Sequence, residues 1–565
     1  MVSTNFISLY EEGFVKYWDS PALSNYEGVT YTYQQVCERI AQWHIFFERV
    51  GLQRGEKVTL MGKDTAEWCT IFLATVTYGA VIVPVLQDFA PADAMSIIDH
   101  SESSLLFVND NLWEQMSLKQ LPLVKHVLDL QSNVSLASQG ELQDLSTLVD
   151  SLPKLLAERY PQGYGREDVK YYHTPNSELL LLNYTSGTTG FSKGVMVTGN
   201  NLAGNVMFCR DNKILHPQEE LLCFLPLAHT YSCMVHLLLA MTIGVHVTIL
   251  GRVPTPKVLG QALKKLKPHI VVSVPLVLEK IYQNAILPII QQPKIKFMLS
   301  MPILKGIVHK KIRQKLIDGL GGCTREVIVG GAALNPEVGV FLKKIGFPIT
   351  VGYGMTECAP LISYIPPKEW RVGSCGQVLR GYMEARIAPL EDSNANVTAT
   401  TRDTKGLPVG EIQVRGENVC LGYYKNEEQT AALFTEDGWL RTGDLGSMDA
   451  DNFLYIKGRS KTMLLGANGQ NIYPEEIEAK ISLIPYVQES IVLMRDGKLE
   501  ALIVPNITAI ESAGVTEGEA WEVIKAHRAA LNDQLGAYEK IQRFELRNEP
   551  FEKTPKQSIK RFLYS

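Results

Sequence analysis

The residues of this sequence best suited to carry chemistry lie in the loop YTSGTTGFSKG at positions 184–194. The run that leads into it, ELLLLNY, has the apolar continuity of a buried strand. Glycines in the loop allow backbone conformations that expose N–H groups, while the hydroxyl side chains and the lysine add donors and positive charge. Such a loop suits a polyphosphate. Its candidate contacts are Thr185, Ser186, Gly187, Thr188, Thr189 and Lys193.

This loop differs from the phosphate loop of the P-loop NTPases. The P-loop motif places Gly-Lys-Ser/Thr at a fixed distance after its first glycine, whereas here Lys193 is followed by Gly194. The sequence therefore favours a phosphate site of another kind.

Further short blocks follow the loop: GGAAL at 330–334, GYGMTE at 352–357, GD at 443–444 and GR at 458–459. Tyr353 stands between two glycines, so a flat ligand can approach the face of its ring. Glu357 offers a hard oxygen ligand of the kind that Mg²⁺ takes together with substrate phosphates. The blocks add a candidate nucleotide-base site and a candidate metal site to the phosphate loop.

Taken in this order, the loop and the blocks resemble the signature motifs of the adenylate-forming superfamily of acyl-CoA synthetases, luciferases and peptide-synthetase adenylation domains. The resemblance covers nearly the whole chain. It implies an acid–thiol ligase that converts a carboxylic acid and ATP to an acyl adenylate and pyrophosphate, then transfers the acyl group to coenzyme A. ATP, Mg²⁺ and coenzyme A as co-substrate are the implied small molecules, and nucleic acid is not an implied partner.

The resemblance also assigns roles within the nucleotide site. The implied nucleotide-binding positions outside the loop are Gly331, Ala332, Tyr353, Gly354, Met355, Thr356, Asp444 and Arg459. Among them the aromatic ring stacks on adenine, Thr356 meets the phosphate, and Asp444 and Arg459 hold the ribose hydroxyls. Glu357 is the implied metal ligand and, with Thr185, is implied to act in catalysis.

Toward the C-terminus the resemblance implies residues that serve the two half-reactions separately. Lys461 matches a hinge position, and Gly469 matches the position that lets the pantetheine arm of coenzyme A pass. Lys560 matches the lysine that bridges the carboxylate and the α-phosphate during adenylation, where an ammonium cancels developing charge. The usual glycine before that lysine is replaced by Ile559, so Lys556 stays open as the alternative.

The elements that must position these residues follow from the hydrophobic patterns. Between residues 31 and 110, helical and strand patterns alternate, which favours a parallel sheet with helices on both faces. After residue 370, short runs such as MEARIAPL, EIQVRG and NFLYIKG predict a small antiparallel β unit. The predicted fold is α/β and α+β. A large N-terminal domain of stacked α/β sheets (1–460, with a β-rich subdomain at about 370–460) precedes a small mobile C-terminal α+β domain (461–565).

Bulk properties exclude some classes of protein. A chain of 565 residues exceeds a single hydrophobic core, and a net charge of -5 gives no global attraction to nucleic acid. The stretch 221–251 has no Asp, Glu, Lys or Arg, but its proline, histidines and glycine favour a strand, a buried helix over 231–241, a turn at Gly244 and a second strand over a membrane span. We expect a cytoplasmic protein, with peripheral contact at the inner face of the membrane.

Two segments bear on the identity of the acid. His229, in LPLAH at 225–229, resembles the catalytic histidine beside the acyl site, although such a residue alone also fits a hydrogen-bonded core position. Residues 281–325 form a longer, more basic segment than ligases of small acids carry, and resemble bacterial long-chain fatty acyl-CoA synthetases. A medium- to long-chain fatty acid is therefore expected. An aryl or short-chain acid, and an adenylation enzyme that loads a carrier-protein phosphopantetheine, are the alternatives.

Within that segment, residues 294–315 interleave basic and apolar side chains. This composition fits a patch that lies on an anionic lipid surface. It equally fits an amphipathic helix that packs on its own domain.

Overall fold

The computed structural model describes residues 2–139, 145–185, 192–390, 402–403, 405–465, 471–536, 538–555 and 558–564. Two seven-stranded sheets form most of the large lobe, which we define as residues 2–459. One continuous buried core runs through this lobe, from Phe6 to Tyr455. The C-terminal lobe, residues 464–564, has separate buried clusters of its own. The predicted domain boundary at Lys461 stays a prediction.

The first sheet ends in the predicted phosphate hairpin. Its strands, in spatial order, are Ser135–Ser138, His126–Asp129, Ser103–Val108, Lys57–Met61, Val81–Val85, Leu179–Thr185 and Lys193–Thr198. The inner pairs are parallel and both edge pairs are antiparallel. Inner strands such as Val81–Val85 are buried along their whole length, as expected of a parallel sheet covered on both faces.

The second sheet carries the predicted adenine block at its carboxyl edge. Its strands, in spatial order, are Ile349–Val351, Glu326–Val329, Ile270–Ser273, Glu220–Cys223, His246–Ile249, Pro21–Asn25 and Thr30–Thr32. All pairs are parallel except the last, which is antiparallel. Ligands bind at the carboxyl ends of strands in open α/β sheets, and the blocks at 330–334 and 352–357 follow two such ends directly.

Helices cover both sheets. In the large lobe they are Phe6–Lys16, Tyr33–Arg49, Ala66–Tyr78, Pro91–Ser101, Asp110–Trp113, Ser146–Arg159, Gly199–Asp211, Thr230–Cys233, Ala240–Ile243, Pro256–Leu266, Pro275–Ile281, Leu287–Ile290, Pro293–Ser300, Pro302–Gly319, Pro336–Lys344 and Glu427–Leu433, with π-helical turns at Met234–Leu239 and Tyr282–Ile286. The helix that follows the phosphate hairpin begins sharply because Thr198 and Asn201 form a reciprocal capping box.

Smaller antiparallel sheets follow. One contains Tyr353–Gly354, Leu361–Tyr364 and Gln377–Val378, and the next, the β-subdomain, contains Met383–Ala388, Gly410–Gly416, Leu440–Met448 and Leu454–Arg459. The C-terminal lobe contains the strands Leu464–Leu465, Asn471–Ile472, Val487–Arg495, Lys498–Pro505 and Ile541–Leu546, and the helices Pro474–Ile481, Ile507–Ala513 and Glu517–Asn532. The predicted fold class, stacked α/β sheets, a small β unit and a small α+β lobe, is confirmed.

Two local predictions compare differently with the structure. The charge-poor stretch forms the strand Glu220–Cys223, a buried helical segment over 230–243, a left-handed Gly244 (φ 81°) and the strand His246–Ile249, as predicted. No helix in the described part of the chain is both long and apolar enough to cross a membrane. The apolar pattern of residues 518–541 predicts a single helix, but the helix ends at Asn532, and Ile541–Leu546 forms a strand parallel to Lys498–Pro505.

Candidate active site

The phosphate hairpin places its two described ends side by side. Thr185, at the end of the outgoing strand, lies directly opposite Lys193, at the start of the returning strand. The predicted contacts Ser186, Gly187, Thr188 and Thr189 lie outside the described residues. Because antiparallel partners bring their side chains together, a hydroxyl and an ammonium flank the position of the loop.

The histidine block is tied by hydrogen bonds to the outgoing strand and to Asp64. Asn183 donates from Nδ2 to the carbonyl oxygen of Ala228 at 3.0 Å, and the N–H of Leu227 donates to Oδ2 of Asp64 at 3.1 Å. Burial raises the pKa of Asp64 to about 7. His229 is half-buried just before the helix Thr230–Cys233, so the block predicted to line the acyl site lies beside the phosphate strand.

A buried asparagine fixes the block at 352–357. Asn205, on the helix after the hairpin, is fully buried; it donates to the carbonyl oxygen of Cys358 at 3.1 Å and accepts from the N–H of Leu361 at 2.9 Å. Gly354 packs so closely on the Pro360 carbonyl that a β-carbon would collide with it. These contacts set the backbone that carries Gly354, Met355, Thr356 and Glu357.

The predicted base and ribose residues meet in one hydrogen-bonded group. The hydroxyl of Tyr353 donates to Oδ2 of Asp444 at 2.6 Å. Asp444 also lies opposite Arg459 in the β-subdomain, with 3.4 Å between Oδ1 and the Arg459 Nε. Burial raises the pKa of the Asp444 carboxyl, Arg459 opposes this, and the charge of Glu357 raises it further. The predicted metal ligand therefore lies within electrostatic range of the predicted ribose carboxylate.

The surroundings of Glu357 include a residue that sequence reasoning missed. The hydroxyl of Tyr423 donates to Oε1 of Glu357 at 2.8 Å, and the main-chain N–H of Cys420 donates to the Glu357 carbonyl oxygen at 2.9 Å. The ammonium of Lys193 lies 4.7 Å from the centre of the Tyr423 ring and donates to Oε1 of Gln429 at 2.7 Å. Burial lowers the pKa of Lys193, nearby Lys461 lowers it further, and Glu357 opposes both.

The side chains present fit a magnesium ion that arrives with a nucleotide. The described hydrogen bond of the Glu357 carboxylate uses Oε1, which leaves Oε2 available. The described residues contain no cluster of three or more His, Cys, Asp or Glu side chains able to hold a metal ion alone. Mg²⁺ commonly takes one or two carboxylates and completes its shell with phosphate oxygens and water, so a single glutamate beside a phosphate loop is sufficient.

The adenine block packs against a half-buried tyrosine. Gly331 adopts a positive φ of 84° and is exposed, as is Ala332. The ring of Tyr231 packs against Gly330, and its hydroxyl donates to the carbonyl oxygens of Ser273 and Ile328. Glycine adopts this positive-φ conformation readily, whereas other residues rarely do. The turn therefore leaves an exposed surface at the edge of the second sheet.

The C-terminal lobe touches this edge through its first helix. Asn335, directly after the adenine block, donates from Nδ2 to the carbonyl oxygen of Ala479, and Gln283 donates to that of Ser482. Lys560 lies elsewhere on this lobe, with its ammonium 3.8 Å from a carboxylate oxygen of Glu552. Gly469 and Lys556 lie outside the described residues. The structure thus groups the nucleotide residues of the large lobe and leaves Lys560 with a partner from its own lobe.

Comparisons with known proteins decide the family. The model of the AMP-binding enzyme family matches residues 11–424.

This chain belongs to the AMP-binding enzyme family. It is 29% identical over 472 residues to the long-chain-fatty-acid–CoA ligase FadD15 of Mycobacterium bovis, covering 79% of this chain and 72% of that protein. It is 25% identical over 538 residues to the long-chain-fatty-acid–CoA ligase ACSBG2 of Rattus norvegicus, covering 88% of this chain and 76% of that protein.

The fold of this AMP-binding enzyme also matches a solved structure. The anthranilate CoA ligase AuaEII in complex with anthranoyl-AMP aligns over 99% of this chain and 96% of its own, with a TM-score of 0.74 and 20% identity. The family match over residues 11–424 confirms the superfamily assignment made from the ordered motifs.

Proposed function

We propose that this chain is an ATP-dependent acyl-CoA ligase that forms an acyl adenylate and then an acyl-CoA. The observation that carries the proposal is the convergence of Lys193, Glu357 and Asp444: Tyr423 contacts both Lys193 and Glu357, and the negative charge of Glu357 acts on both Lys193 and Asp444. Three motifs that are far apart in sequence thereby bring together a cation for the phosphates, a carboxylate for the metal ion and a carboxylate for the ribose. The relatives FadD15 and ACSBG2 are named as long-chain-fatty-acid–CoA ligases, and these names support the same activity.

Each group has a distinct task in the first half-reaction. The phosphates of ATP lie on the loop between Thr185 and Lys193, the ribose on Asp444 and Arg459, and the base on Tyr353. Magnesium held by Glu357 would neutralise phosphate charge. An oxygen of the acid attacks the α-phosphorus, the bond to the β-phosphate oxygen breaks, and pyrophosphate leaves. The protein mainly positions groups and offsets charge, as phosphoryl transfers require.

The second half-reaction requires a different arrangement of the lobes. The thiolate of coenzyme A attacks the acyl carbon, the bond to the AMP oxygen breaks, and AMP leaves. We propose that the C-terminal lobe turns at Lys461, brings Lys560 to the cleft for adenylation, and presents Gly469 to the pantetheine arm for thioester formation. We assign the arrangement of the lobes in this structure to the thioester-forming step. Two observations support this assignment: the helix Pro474–Ile481 contacts the adenine edge, and Lys560 pairs with Glu552 of its own lobe.

A fatty acid is the proposed substrate class. Relatives that match this chain over most of its length are named long-chain-fatty-acid–CoA ligases, and these names support a fatty acid. Burying each CH₂ of a chain contributes about 0.8 kcal/mol, roughly a fourfold factor. We therefore expect kcat/KM to rise from octanoate to tetradecanoate or hexadecanoate.

A pyrophosphate-release screen across saturated and aromatic acids tests both parts of the proposal. Release that needs acid and ATP, with thioester formed only when coenzyme A is added, is the expected result. Thioester on a phosphopantetheinylated carrier protein but not on coenzyme A would contradict the ligase assignment. A flat chain-length profile, or a preference for aryl acids, would contradict the fatty-acid assignment.

We further propose that the basic hairpin, defined as the helices Pro293–Ser300 and Pro302–Gly319, contacts an anionic lipid surface. In both helices only Val308 is buried, while Phe297 is 66% and Ile303 is 83% exposed. The basic side chains are all exposed: Lys294, Lys296, Lys305, Lys310, Lys311, Arg313 and Lys315. Residues 293–317 contain no acid although the whole chain is acidic, and such a surface complements anionic headgroups.

Part of the hairpin does pack on its own lobe. Ile312 and Leu316, one helical turn apart, lie against the large core together with Ile317, which agrees with the amphipathic-helix alternative for the second helix. Sedimentation with phosphatidylglycerol or phosphatidylcholine vesicles tests the exposed remainder. Phe297→Ser with Ile303→Ser should abolish salt-sensitive binding to anionic vesicles, whereas the exposed control Val29→Ser should not. If the double variant and the Val29→Ser control bound anionic vesicles equally well, the proposed lipid contact would be contradicted.

A further inference from the structure

A short segment, residues 420–430, joins the phosphate hairpin to the predicted metal ligand. Its main chain pairs with the returning strand: Met196 donates to the Gly422 carbonyl, Leu421 to that of Met196, and Tyr424 to that of Gly194. We call this the clamp segment. Because it is bonded along the strand that begins at Lys193, its backbone has a fixed position relative to that strand.

Within the clamp segment, Tyr423 reaches both charged groups at once. Its hydroxyl donates to Oε1 of Glu357 at 2.8 Å, and its ring lies 4.7 Å from the Lys193 ammonium. The side chain is 8% exposed, so water does not compete freely for either contact. Thr430 fixes the backbone, since the N–H of Tyr423 donates to its Oγ1 at 2.9 Å.

We propose that Tyr423 is a positioning residue for magnesium–ATP, holding Glu357 so that its second oxygen faces the metal beside Lys193. The proposal rests on the proposed function, because it takes Glu357 as the metal ligand. A carboxylate free to rotate would present its oxygens in many directions, and a single hydrogen bond to Oε1 selects one. Removing a hydrogen-bond partner of a metal ligand typically lowers metal affinity about 10- to 100-fold.

The neighbouring tyrosine supplies a matched control. Tyr424 donates from its hydroxyl to Glu102 at 2.7 Å, away from Glu357. Tyr423→Phe and Tyr424→Phe remove the same atom from adjacent residues, and Tyr423→Phe keeps the ring that faces Lys193. Any difference between these variants reports the bond to Glu357 rather than the loss of a carboxylate-bonded tyrosine hydroxyl in general.

The test measures Mn²⁺ binding to the full chain by electron paramagnetic resonance, with α,β-methylene-ATP and no acid, so that turnover does not enter. Tyr423→Phe should weaken Mn²⁺ binding about 10-fold or more, and Tyr424→Phe should leave it unchanged. In a Glu357→Gln background, Tyr423→Phe should have no further effect, because the hydroxyl acts through that carboxylate.

Every outcome is informative. Equal affinities for both phenylalanine variants, or an undiminished effect in the Glu357→Gln background, would overturn the role of Tyr423. If Glu357→Gln alone leaves Mn²⁺ binding intact, the metal assignment in the proposed function fails instead. Should Tyr423→Phe not fold, Thr430→Val displaces the tyrosine backbone and should weaken binding in the same direction, and an unchanged affinity would again overturn the role.

Discussion

Asp444 and Lys560 are charged groups assigned to one reaction, yet their surroundings differ. The Asp444 side chain is 12% exposed, accepts from Tyr353 and lies against Arg459. The Lys560 side chain is 37% exposed, and the carboxylate beside it, Glu552, is 67% exposed. Under the proposed mechanism, the fold of the large lobe would form the nucleotide cleft before ATP binds, whereas Lys560 would reach that cleft only through movement of its lobe.

The largest expected effect separates the half-reactions. Lys560→Ala should lower acyl-adenylate formation about 100- to 1,000-fold, because a cation is lost where charge develops on phosphorus. Conversion of a supplied acyl adenylate to thioester should be unchanged. Pyrophosphate exchange measures the first step and thioester formation the second.

Lys556→Ala is the control for this experiment, since that lysine is the alternative assignment. If Lys556→Ala shows the split and Lys560→Ala does not, the roles are exchanged. Equal loss of both half-reactions in either variant argues against a moving lobe.

For Asp444, we expect a loss of kcat/KM for ATP rather than the separation of the two half-reactions expected for Lys560. Asp444→Ala should lower kcat/KM for ATP roughly 100-fold, because it removes hydrogen bonds to the ribose and leaves the Tyr353 hydroxyl without its partner. Asp451→Ala, at an exposed aspartate paired with Arg371, is the control and should change little. A weak effect of Asp444→Ala would place the ribose elsewhere.

The smallest expected effect is a pH dependence. Burial raises the pKa of Asp444, so the carboxylate is lost at a higher pH than for an ordinary aspartate as the pH falls. Affinity for α,β-methylene-ATP should therefore decline a few-fold as the pH falls, and the decline should begin at a higher pH than an ordinary aspartate would give. Asp444→Asn should flatten that decline, and an unchanged slope in this variant would assign the titration to another group.

The sequence was sufficient to select residues that lie in local motifs and that the structure brings together. Tyr353, Glu357, Asp444 and Arg459 lie in short, ordered blocks that contain glycines, and the structure groups them. The strand–helix alternation likewise follows from apolar periodicity, which each segment carries by itself.

Residues that act through distant contacts were not predictable in this way. Asn205 holds a backbone 153 positions away and Tyr423 meets a carboxylate 66 positions away, and nothing in either local pattern marks such a contact. The strand Ile541–Leu546 was missed because Arg543 and Glu545 interrupt its apolar residues. The strand Ile541–Leu546 forms because it pairs in parallel with Lys498–Pro505, and its own sequence pattern does not indicate this pairing.

The central claim is that the acid becomes joined to AMP before it reaches the thiol. An acid labelled with ¹⁸O in both carboxylate oxygens tests this directly, with mass spectrometry of the products. Attack on the α-phosphorus predicts AMP with one labelled oxygen, acyl-CoA with the other, and unlabelled pyrophosphate. Label in pyrophosphate or inorganic phosphate, or unlabelled AMP, would contradict the account.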